Sequence, residues 1–172
     1  MPTDLKALVR EVPDFPTSGI GFKDIMPLLA DAAALHEVVT RMTEWGRERR
    51  PQVVVGGEAR GFLLGAALAF ELGCGFVPAR RPGKLPPETI SAEYALEYGT
   101  NVLELQRTAI EEGTRVLIHD DVLATGGTAG AMAGLVELLG GEVVGFAFLI
   151  ELSFLDGRKR LGGRDVLALI RY

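Results

Sequence analysis

Residues 116–132 have the sequence VLIHDDVLATGGTAGAM, and their order predicts one unit of an α/β fold. An apolar run, Val116–Ile118, comes before two adjacent carboxylates, and a loop of small residues follows them. Further along, apolar residues recur at the spacing of a helix at Met132, Leu135, Val136 and Leu139. The segment therefore predicts a strand, an acidic turn, a glycine-rich loop and a helix, in that order.

The glycine-rich loop, Ala124–Thr128, has the features of a phosphate-binding site. The first N–H groups of a helix are unpaired and lie at the positive end of the helix dipole. Gly126 and Gly127 allow the backbone to approach an anion closely, and the hydroxyls of Thr125 and Thr128 add donors. No lysine follows the glycines, so the Walker pattern is excluded, and the spacing is not GxGxxG.

The two adjacent acids, Asp120 and Asp121, predict what lies beside the phosphate. Carboxylates repel phosphate but accept hydrogen bonds well from vicinal hydroxyls such as those of ribose. The segment thus predicts a sugar-phosphate site, with the phosphate on the loop and the diol on the acids. The alternative is a plain glycine-rich turn with solvated acids, which the pair at a fixed offset before TGGT disfavours.

Bulk properties describe an ordinary globular protein. The chain has 172 residues, 48% hydrophobic and 24% charged, which predicts a single domain, 1–172. A net charge of −5 argues against a general nucleic-acid surface. No segment resembles a signal peptide or a membrane span, so a cytoplasmic protein without a membrane partner is expected. Cys74 is interpreted as a structural thiol, and a zinc site is improbable because no His/Cys cluster exists.

Strand and helix patterns alternate along the chain, which predicts an α/β fold with a parallel sheet and helices on both faces. Helices are expected at Asp4–Val12, from an Asp31 cap to about Arg49, and at Phe62–Leu72. Strands are expected at Gln52–Val55, Gly75–Ala79, Thr89–Leu96, Val102–Leu105, Thr114–His119, Glu142–Leu152 and Val166–Ile170.

Two loops and two basic segments each have a structural interpretation that does not require a ligand. Gly56–Gly61 could hold a second anion through Arg60, or be a tight turn with a surface arginine, and the residues alone favour neither. Arg80–Pro87, basic and proline-rich beside an antiparallel hairpin, predicts a mobile flap rather than a solvated loop. Phe15–Ile25 is interpreted as a loop that covers a core, and Arg158–Arg160 as a solvated run.

Five segments resemble the adenine phosphoribosyltransferase family in the same order. They are FPTSGIGFKDI, GGEARGF, ARRPGKLP, ALEYG and HDDVLATGGT, and the similarity runs from about Val12 to Leu152. The resemblance implies a type I phosphoribosyltransferase fold, with a small hood mainly from residues 1–30 and a flexible antiparallel flap over about 80–106.

The resemblance also implies which residues bind each part of the substrates. Ala124, Thr125, Gly126, Gly127 and Thr128 would hold the 5-phosphate, and Asp120 and Asp121 the ribose diol. Adenine would lie between Phe22 and Val122, with its edge read by the backbone at Gly21 and Lys23.

The remaining implied roles concern the leaving group and the proton. Arg60 would face the pyrophosphate and the purine, while Arg80, Arg81 and Lys84 would belong to the flap that closes over the pyrophosphate. Glu97, in ALEYG, would exchange a proton with the purine.

The implied reaction is adenine plus phosphoribosyl pyrophosphate giving AMP and pyrophosphate, a purine-salvage step catalysed by a homodimer. Mg²⁺ would be held mainly by substrate and water, with no direct protein ligand. Two alternatives remain, namely a phosphoribosyltransferase for a 6-oxopurine and a non-enzymatic sensor of the sugar pyrophosphate. The FPTSGIGFKDI segment disfavours the first, and the acidic charge disfavours a DNA-binding sensor.

This chain departs from the family pattern in three places. His119 replaces the usual aliphatic residue before the acids and is interpreted as a buried neutral histidine rather than a modulator of their charge. Ser18 stands where proline is frequent, and Glu58–Ala59 follows one family variant in which the peptide bond could be cis.

Overall fold

The computed structural model describes residues 4–95 and 99–172, and the chain divides into two compact units, Met1–Arg41 and Met42–Tyr172. No helix in the described ranges is both long and apolar enough to cross a bilayer. The first unit contains a 3₁₀ turn at Leu5–Leu8, strands β1 (Arg10–Val12) and β2 (Phe22–Asp24), helix α1 (Met26–Ala30) and most of helix α2 (Ala32–Arg47).

The predicted helix at Asp4–Val12 is wrong after its first turn. β1 pairs with β2 in antiparallel register, with Arg10 opposite Asp24, and Arg10 Nη2 lies 2.6 Å from Asp24 Oδ2. The apolar spacing is that of a helix, but pairing with β2 and the ion pair with Asp24 stabilise a strand here instead. The Asp31 cap is confirmed, because its Oδ1 accepts a hydrogen bond from Ala34 N at 2.9 Å.

The second unit is built on a five-stranded parallel sheet, as predicted. The elements of this unit are β3 (Val53–Gly57), α3 (Gly61–Leu72), β4 (Gly75–Ala79), β5 (Thr89–Ala95), β6 (Thr100–Gln106), β7 (Arg115–Leu123), α4 (Gly127–Leu138), β8 (Glu142–Glu151) and β9 (Val166–Arg171). The strand order in the sheet is β4-β3-β7-β8-β9, and every neighbouring pair runs parallel. Two 3₁₀ turns, Ser153–Leu155 and Gly157–Leu161, lie between β8 and β9.

The strand order reverses between β3 and β7. The chain leaves β3 outward to β4, and later leaves β7 in the opposite direction to β8. Right-handed crossovers then place α3 and α4 on opposite faces of the sheet. In such sheets the crevice beyond the carboxyl ends of the two strands at the reversal is where ligands bind.

β7 is longer than predicted, and this corrects the expected acidic turn. The strand continues through both acids to Leu123, because the long apolar strand β8 keeps pairing with it, placing Asp120 opposite Phe148 and Leu123 opposite Glu151. Both faces of these central strands are covered, so Val116–Ile118 and Phe146–Ile150 are fully buried. The acids therefore project from a rigid element rather than a loop.

The predicted antiparallel hairpin is present as β5 and β6, with Ile90 opposite Leu105. Both of these side chains are buried in the same hydrophobic cluster as Met132 of α4. Arg80, just before the hairpin, forms a single antiparallel bridge with Glu104. The base of the hairpin is thus anchored in the core of the second unit.

Candidate functional site

The glycine-rich loop and the first turn of α4 form a small open pocket of about 50 Å³. Residues 122–129 line it without interruption. Gly126 is the N-cap residue of α4, with a φ of +81°, a conformation that glycine adopts at little cost. No side chain of the described residues caps this helix, so its first N–H groups remain available to an anion.

The loop packs backbone to backbone against the Gly157–Leu161 turn. A Cβ on Gly126 would collide with the Gly157 carbonyl oxygen, and a Cβ on Gly157 would collide with that of Ala124. A Cβ on Gly127 would lie 3.1 Å from Ala95 O, so the end of the β5–β6 hairpin also lies beside the loop. Glycine at these positions is required by close packing as well as by ligand approach.

Asp120 is held against two glycines of the neighbouring strand–helix unit. A Cβ on Gly57 would lie 3.0 Å from Asp120 Oδ2, and one on Gly61 would lie 2.9 Å from Asp120 Oδ1. The carboxylate also accepts a hydrogen bond from the backbone N–H of Asp121, at 2.9 Å. Sequence reasoning missed this role of Gly57 and Gly61, which only the β3–β7 pairing reveals.

Arg60 contacts the second acid of the pair. Its Nε lies 2.9 Å from Asp121 Oδ2, and the Asp121 side chain is only 6% exposed. The contact is an ion pair rather than an aligned hydrogen bond, because no suitably oriented donor reaches this buried oxygen from the described residues. The structure thus places Arg60 on Asp121, and its predicted role toward pyrophosphate and purine stays a prediction.

Both acids of the pair have raised pKa values. Burial raises the pKa of Asp120 well above its ordinary range, and the charge of Asp121 raises that pKa further. Burial also raises the pKa of Asp121, although the Arg60 guanidinium opposes this shift. A buried carboxylate next to a half-buried one, with one arginine, favours a ligand that donates hydrogen bonds to both acids.

Glu58 connects the Arg60 loop to the predicted flap. Its side chain is 6% exposed, and Oε1 lies 3.3 Å from Arg80 Nη2. Oε2 accepts a hydrogen bond from the backbone N–H of Arg81 at 3.2 Å, and Lys84 O accepts one from Arg80 Nη1 at 3.3 Å. The Glu58–Ala59 peptide bond is cis. Sequence reasoning also missed the Glu58 contact, since a lone carboxylate among glycines carries no local signal.

His119 is a buried neutral histidine, as interpreted from the sequence. It is fully buried, and its Nδ1 donates to Ala147 O at 2.8 Å. Burial lowers the pKa of His119 to about 4. Its Nε2 has no hydrogen-bond partner among the residues that the structure describes. The ring is therefore uncharged at neutral pH and does not perturb the acids as a cation would.

The predicted adenine-binding residues before residue 30 lie in the first unit, and the predicted proton-transfer residue lies outside the described ranges. Gly21, Phe22 and Lys23 lie in the first unit, where the rings of Phe15 and Phe22 meet edge to face at 5.1 Å. Lys23 Nζ lies 2.9 Å from Glu11 Oε1. Their role toward adenine, opposite Val122, stays a prediction. Glu97 lies outside the described residues.

The interpretation of Arg158–Arg160 as a solvated run is wrong for Arg158. Its guanidinium makes a two-pronged contact with the buried Glu151, with Nε to Oε1 at 2.6 Å and Nη2 to Oε2 at 2.7 Å. This hydrogen bonding lowers the pKa of Glu151. The pair fixes the Gly157–Leu161 turn to the end of β8.

Known proteins share this fold and sequence over nearly their whole length. The phosphoribosyl transferase domain model matches residues 29–164. Adenine phosphoribosyltransferase of Thermotoga maritima is 58% identical over 169 residues, which cover 98% of each chain.

Solved structures of adenine phosphoribosyltransferases show the same similarity in sequence and fold. That of the adenine phosphoribosyltransferase from Thermoanaerobacter pseudethanolicus is 54% identical, with a TM-score of 0.96 over 98% of both chains. The Giardia lamblia enzyme in complex with 9-deazaadenine is 38% identical, with a TM-score of 0.94 over 98% of this chain and 96% of that one. With the acid pair and the glycine-rich loop on one strand–loop–helix unit, these similarities establish that the chain belongs to the adenine phosphoribosyltransferase family.

Proposed function

We propose that this protein transfers the 5-phosphoribosyl group of phosphoribosyl pyrophosphate to adenine, giving AMP and pyrophosphate in purine salvage. The observation that carries the proposal is the acid pair on β7 directly before the uncapped start of α4. Such a unit fits a ribose phosphate, with the phosphate at the helix start and the ribose hydroxyls at the acids. The identity of the acceptor base, adenine, is inferred from the relatives named above.

The sugar phosphate is held by two sets of groups. The 5-phosphate receives hydrogen bonds from the N–H groups of Ala124–Thr128 and from the hydroxyls of Thr125 and Thr128. The ribose hydroxyls donate to Asp120 and Asp121. This contact favours the ionised carboxylates, and so offsets the burial that raises their pKa values.

The pyrophosphate leaving group meets the cations around Glu58 and Asp121. Arg60 is the cation nearest to the acid pair, and Arg80, Arg81 and Lys84 come from the segment predicted to be the flap. Charge accumulates on the pyrophosphate as the glycosidic bond breaks, and fixed cations stabilise it. Because Glu58 holds Arg80 in place, it positions this cation before substrate binds.

Adenine is a neutral and weak nucleophile, so its placement against the anomeric carbon matters most. We infer that Phe22 and Val122 hold its faces and that the backbone at Gly21 and Lys23 reads its edge. Glu97 is the proposed proton-transfer group. The hood, mainly residues 1–30, and the flap, about 80–106, would then exclude water from the activated sugar.

Mg²⁺ fits this site as an ion carried with the substrate. No group of three His, Cys, Asp or Glu residues that could hold a metal exists within the described residues, and Asp121 already pairs with Arg60. The ion would be held by substrate oxygens and water, with the acid pair acting through the ribose hydroxyls. When bound, it neutralises charge on the pyrophosphate.

A homodimer with flap residues near the neighbouring subunit is part of the proposal, and a cytoplasmic location stays a prediction. Sedimentation equilibrium at several protein concentrations tests the dimer, which should give twice the chain mass of 18.4 kDa. A single-chain mass throughout would contradict it.

Product formation tests the reaction itself. Adenine, hypoxanthine, guanine and xanthine are offered separately with Mg²⁺ and phosphoribosyl pyrophosphate, and AMP is expected from adenine alone. A Glu97→Gln variant should lower kcat while leaving the Kd for ribose 5-phosphate unchanged. Turnover of a 6-oxopurine would overturn the base assignment, and tight binding of the sugar pyrophosphate without turnover of any base would favour the sensor.

A further inference from the structure

Three consecutive cations in the Gly157–Leu161 turn have different surroundings. Arg158 is neutralised by Glu151, and Lys159 Nζ lies 2.6 Å from Asp156 Oδ2. Arg160 makes no ion pair or hydrogen bond with any residue in the described part of the chain. Its positive charge is therefore the one in this turn that is not compensated by a described neighbour.

Arg160 lies beside the glycine-rich loop and the start of α4. Its Cβ would be 3.2 Å from a Cβ on Gly126, and its Nη1 would be 3.6 Å from a Cβ on Gly127. These two glycines are the N-cap residue and the first residue of α4. The guanidinium is thus next to the N–H groups that the proposed function assigns to the 5-phosphate.

The turn that carries Arg160 is anchored on both sides. Gly157, on the N-terminal side, is locked against Ala124 and Gly126 by backbone contact. Leu161, on the C-terminal side, is 1% exposed and belongs to the main hydrophobic cluster. The contact between Arg158 and Glu151 fixes the turn a third time. Arg160 therefore extends from a rigid base, although its own side chain is solvent-accessible.

We propose that Arg160 is a further phosphate-binding residue, which supplies a charged hydrogen bond to the 5-phosphate of the sugar substrate. The inference rests on the proposed function, because it requires the glycine-rich loop to hold that phosphate. A phosphate dianion on the loop would lie at the partial positive charge of the helix N-terminus. Among the described residues of this turn, Arg160 is the cation that no acid compensates. Arginine suits the task because its planar donors match phosphate oxygens.

The test is direct binding of ribose 5-phosphate, measured by isothermal titration calorimetry at low ionic strength. Arg160→Gln should raise the Kd about fivefold, because an exposed charge contact contributes modestly. Arg160→Lys should recover part of this loss. Lys159→Gln is the matched control, since it removes the same charge from the neighbouring position, and it should leave the Kd within twofold of the unaltered protein.

Two further measurements make the result specific. The Kd for inorganic pyrophosphate should be the same in Arg160→Gln and the unaltered protein, and the fivefold difference for ribose 5-phosphate should shrink as salt is added. Equal ribose 5-phosphate affinities for Arg160→Gln and Lys159→Gln would overturn the inference. The assay needs no turnover, so the proposed reaction can fail in the base-specificity assay while ribose 5-phosphate binding still decides the role of Arg160.

Discussion

Arg60 Nε lies 2.9 Å from Asp121 Oδ2, and this contact joins the loop after β3 to the end of β7. It crosses the point where the strand order reverses, so one ion pair ties together the two halves of the proposed site. Because Asp121 is nearly buried, removing its partner leaves a carboxylate that is poorly compensated.

Arg60→Gln should therefore destabilise the fold. We expect a loss of about 2 kcal/mol in the free energy of unfolding, less than for a fully buried pair because Arg60 is partly exposed. The double variant Arg60→Gln/Asp121→Asn should recover much of that loss. Urea unfolding of the two single variants and the double variant measures this, and equal stability of Arg60→Gln and the double variant would contradict it.

Asp120→Asn should stabilise the protein at neutral pH while disabling it. The folded-state pKa of Asp120 is raised, so the folded state binds its proton more tightly than the unfolded state. Stability from this group is therefore present at acidic pH and is lost as pH rises through the raised pKa. Asparagine removes that cost, and its Oδ1 can still accept from Asp121 N, so we expect a gain of about 1 kcal/mol.

The same substitution should reduce kcat/KM for phosphoribosyl pyrophosphate by about a hundredfold, because a neutral amide accepts more weakly from the ribose hydroxyls. Thermal unfolding at pH 7 and initial rates of AMP formation are the two measurements. A variant that is both less stable and fully active would contradict this trade-off.

His119 should make the fold sensitive to acid. Its folded-state pKa is lowered to about 4 from the ordinary 6.5, so the unfolded state binds the proton first. The contribution of His119 to stability is fully present above the pKa that the residue has in the unfolded state. About 3 kcal/mol of the free energy of unfolding is lost as pH falls from that pKa through the folded-state pKa.

His119→Val should remove this component, seen as the difference between the two unfolding free-energy curves from pH 7 to pH 4. The matched control is His36→Gln, which removes the other histidine of the chain from an exposed position on α2. Parallel curves for His119→Val and the unaltered protein would show that the ring is not buried and neutral.

Gly157→Ala should weaken binding of the sugar phosphate although Gly157 itself is not a proposed ligand of it. The new methyl group would collide with Ala124 O and displace the glycine-rich loop, so KM for phosphoribosyl pyrophosphate should rise at least tenfold. KM for adenine should change less. Gly134→Ala is the control, because nothing lies within 4 Å of its added methyl group and alanine favours the interior of α4. Similar kinetics for the two variants would contradict the contact.

Local patterns in the sequence predicted most of the fold. The stretch 116–132 predicts its own strand, loop and helix because hydrophobic spacing and helix-start chemistry are local properties. The end of β7 could not be placed, because it depends on the partner strand β8 rather than on the acids themselves. The strand β1 was missed for the same reason, since its partner β2 lies beyond a loop.

The site residues also divide into those that local sequence reveals and those that depend on distant parts of the chain. The loop Ala124–Thr128 and the acid pair are contiguous, so their residue types reveal them. The Glu58 contact was missed because its partner Arg80 is distant in sequence. Arg158 was misinterpreted because charge runs are usually solvated. The burial that shifts the pKa values of Asp120 and His119 is likewise a property of the assembled sheet.

The fit of Asp120 against Gly57 and Gly61 limits how this site could be transplanted into another protein. Residues 116–132 are a continuous segment, and a designer would be tempted to graft them alone onto any strand–loop–helix unit. Yet the first acid occupies space left by two missing side chains about sixty positions earlier. A host protein carrying alanine at either place, the end of the first strand or the start of its helix, would force the carboxylate out of position. The portable unit is therefore the pair of neighbouring strands with the helix start that follows each.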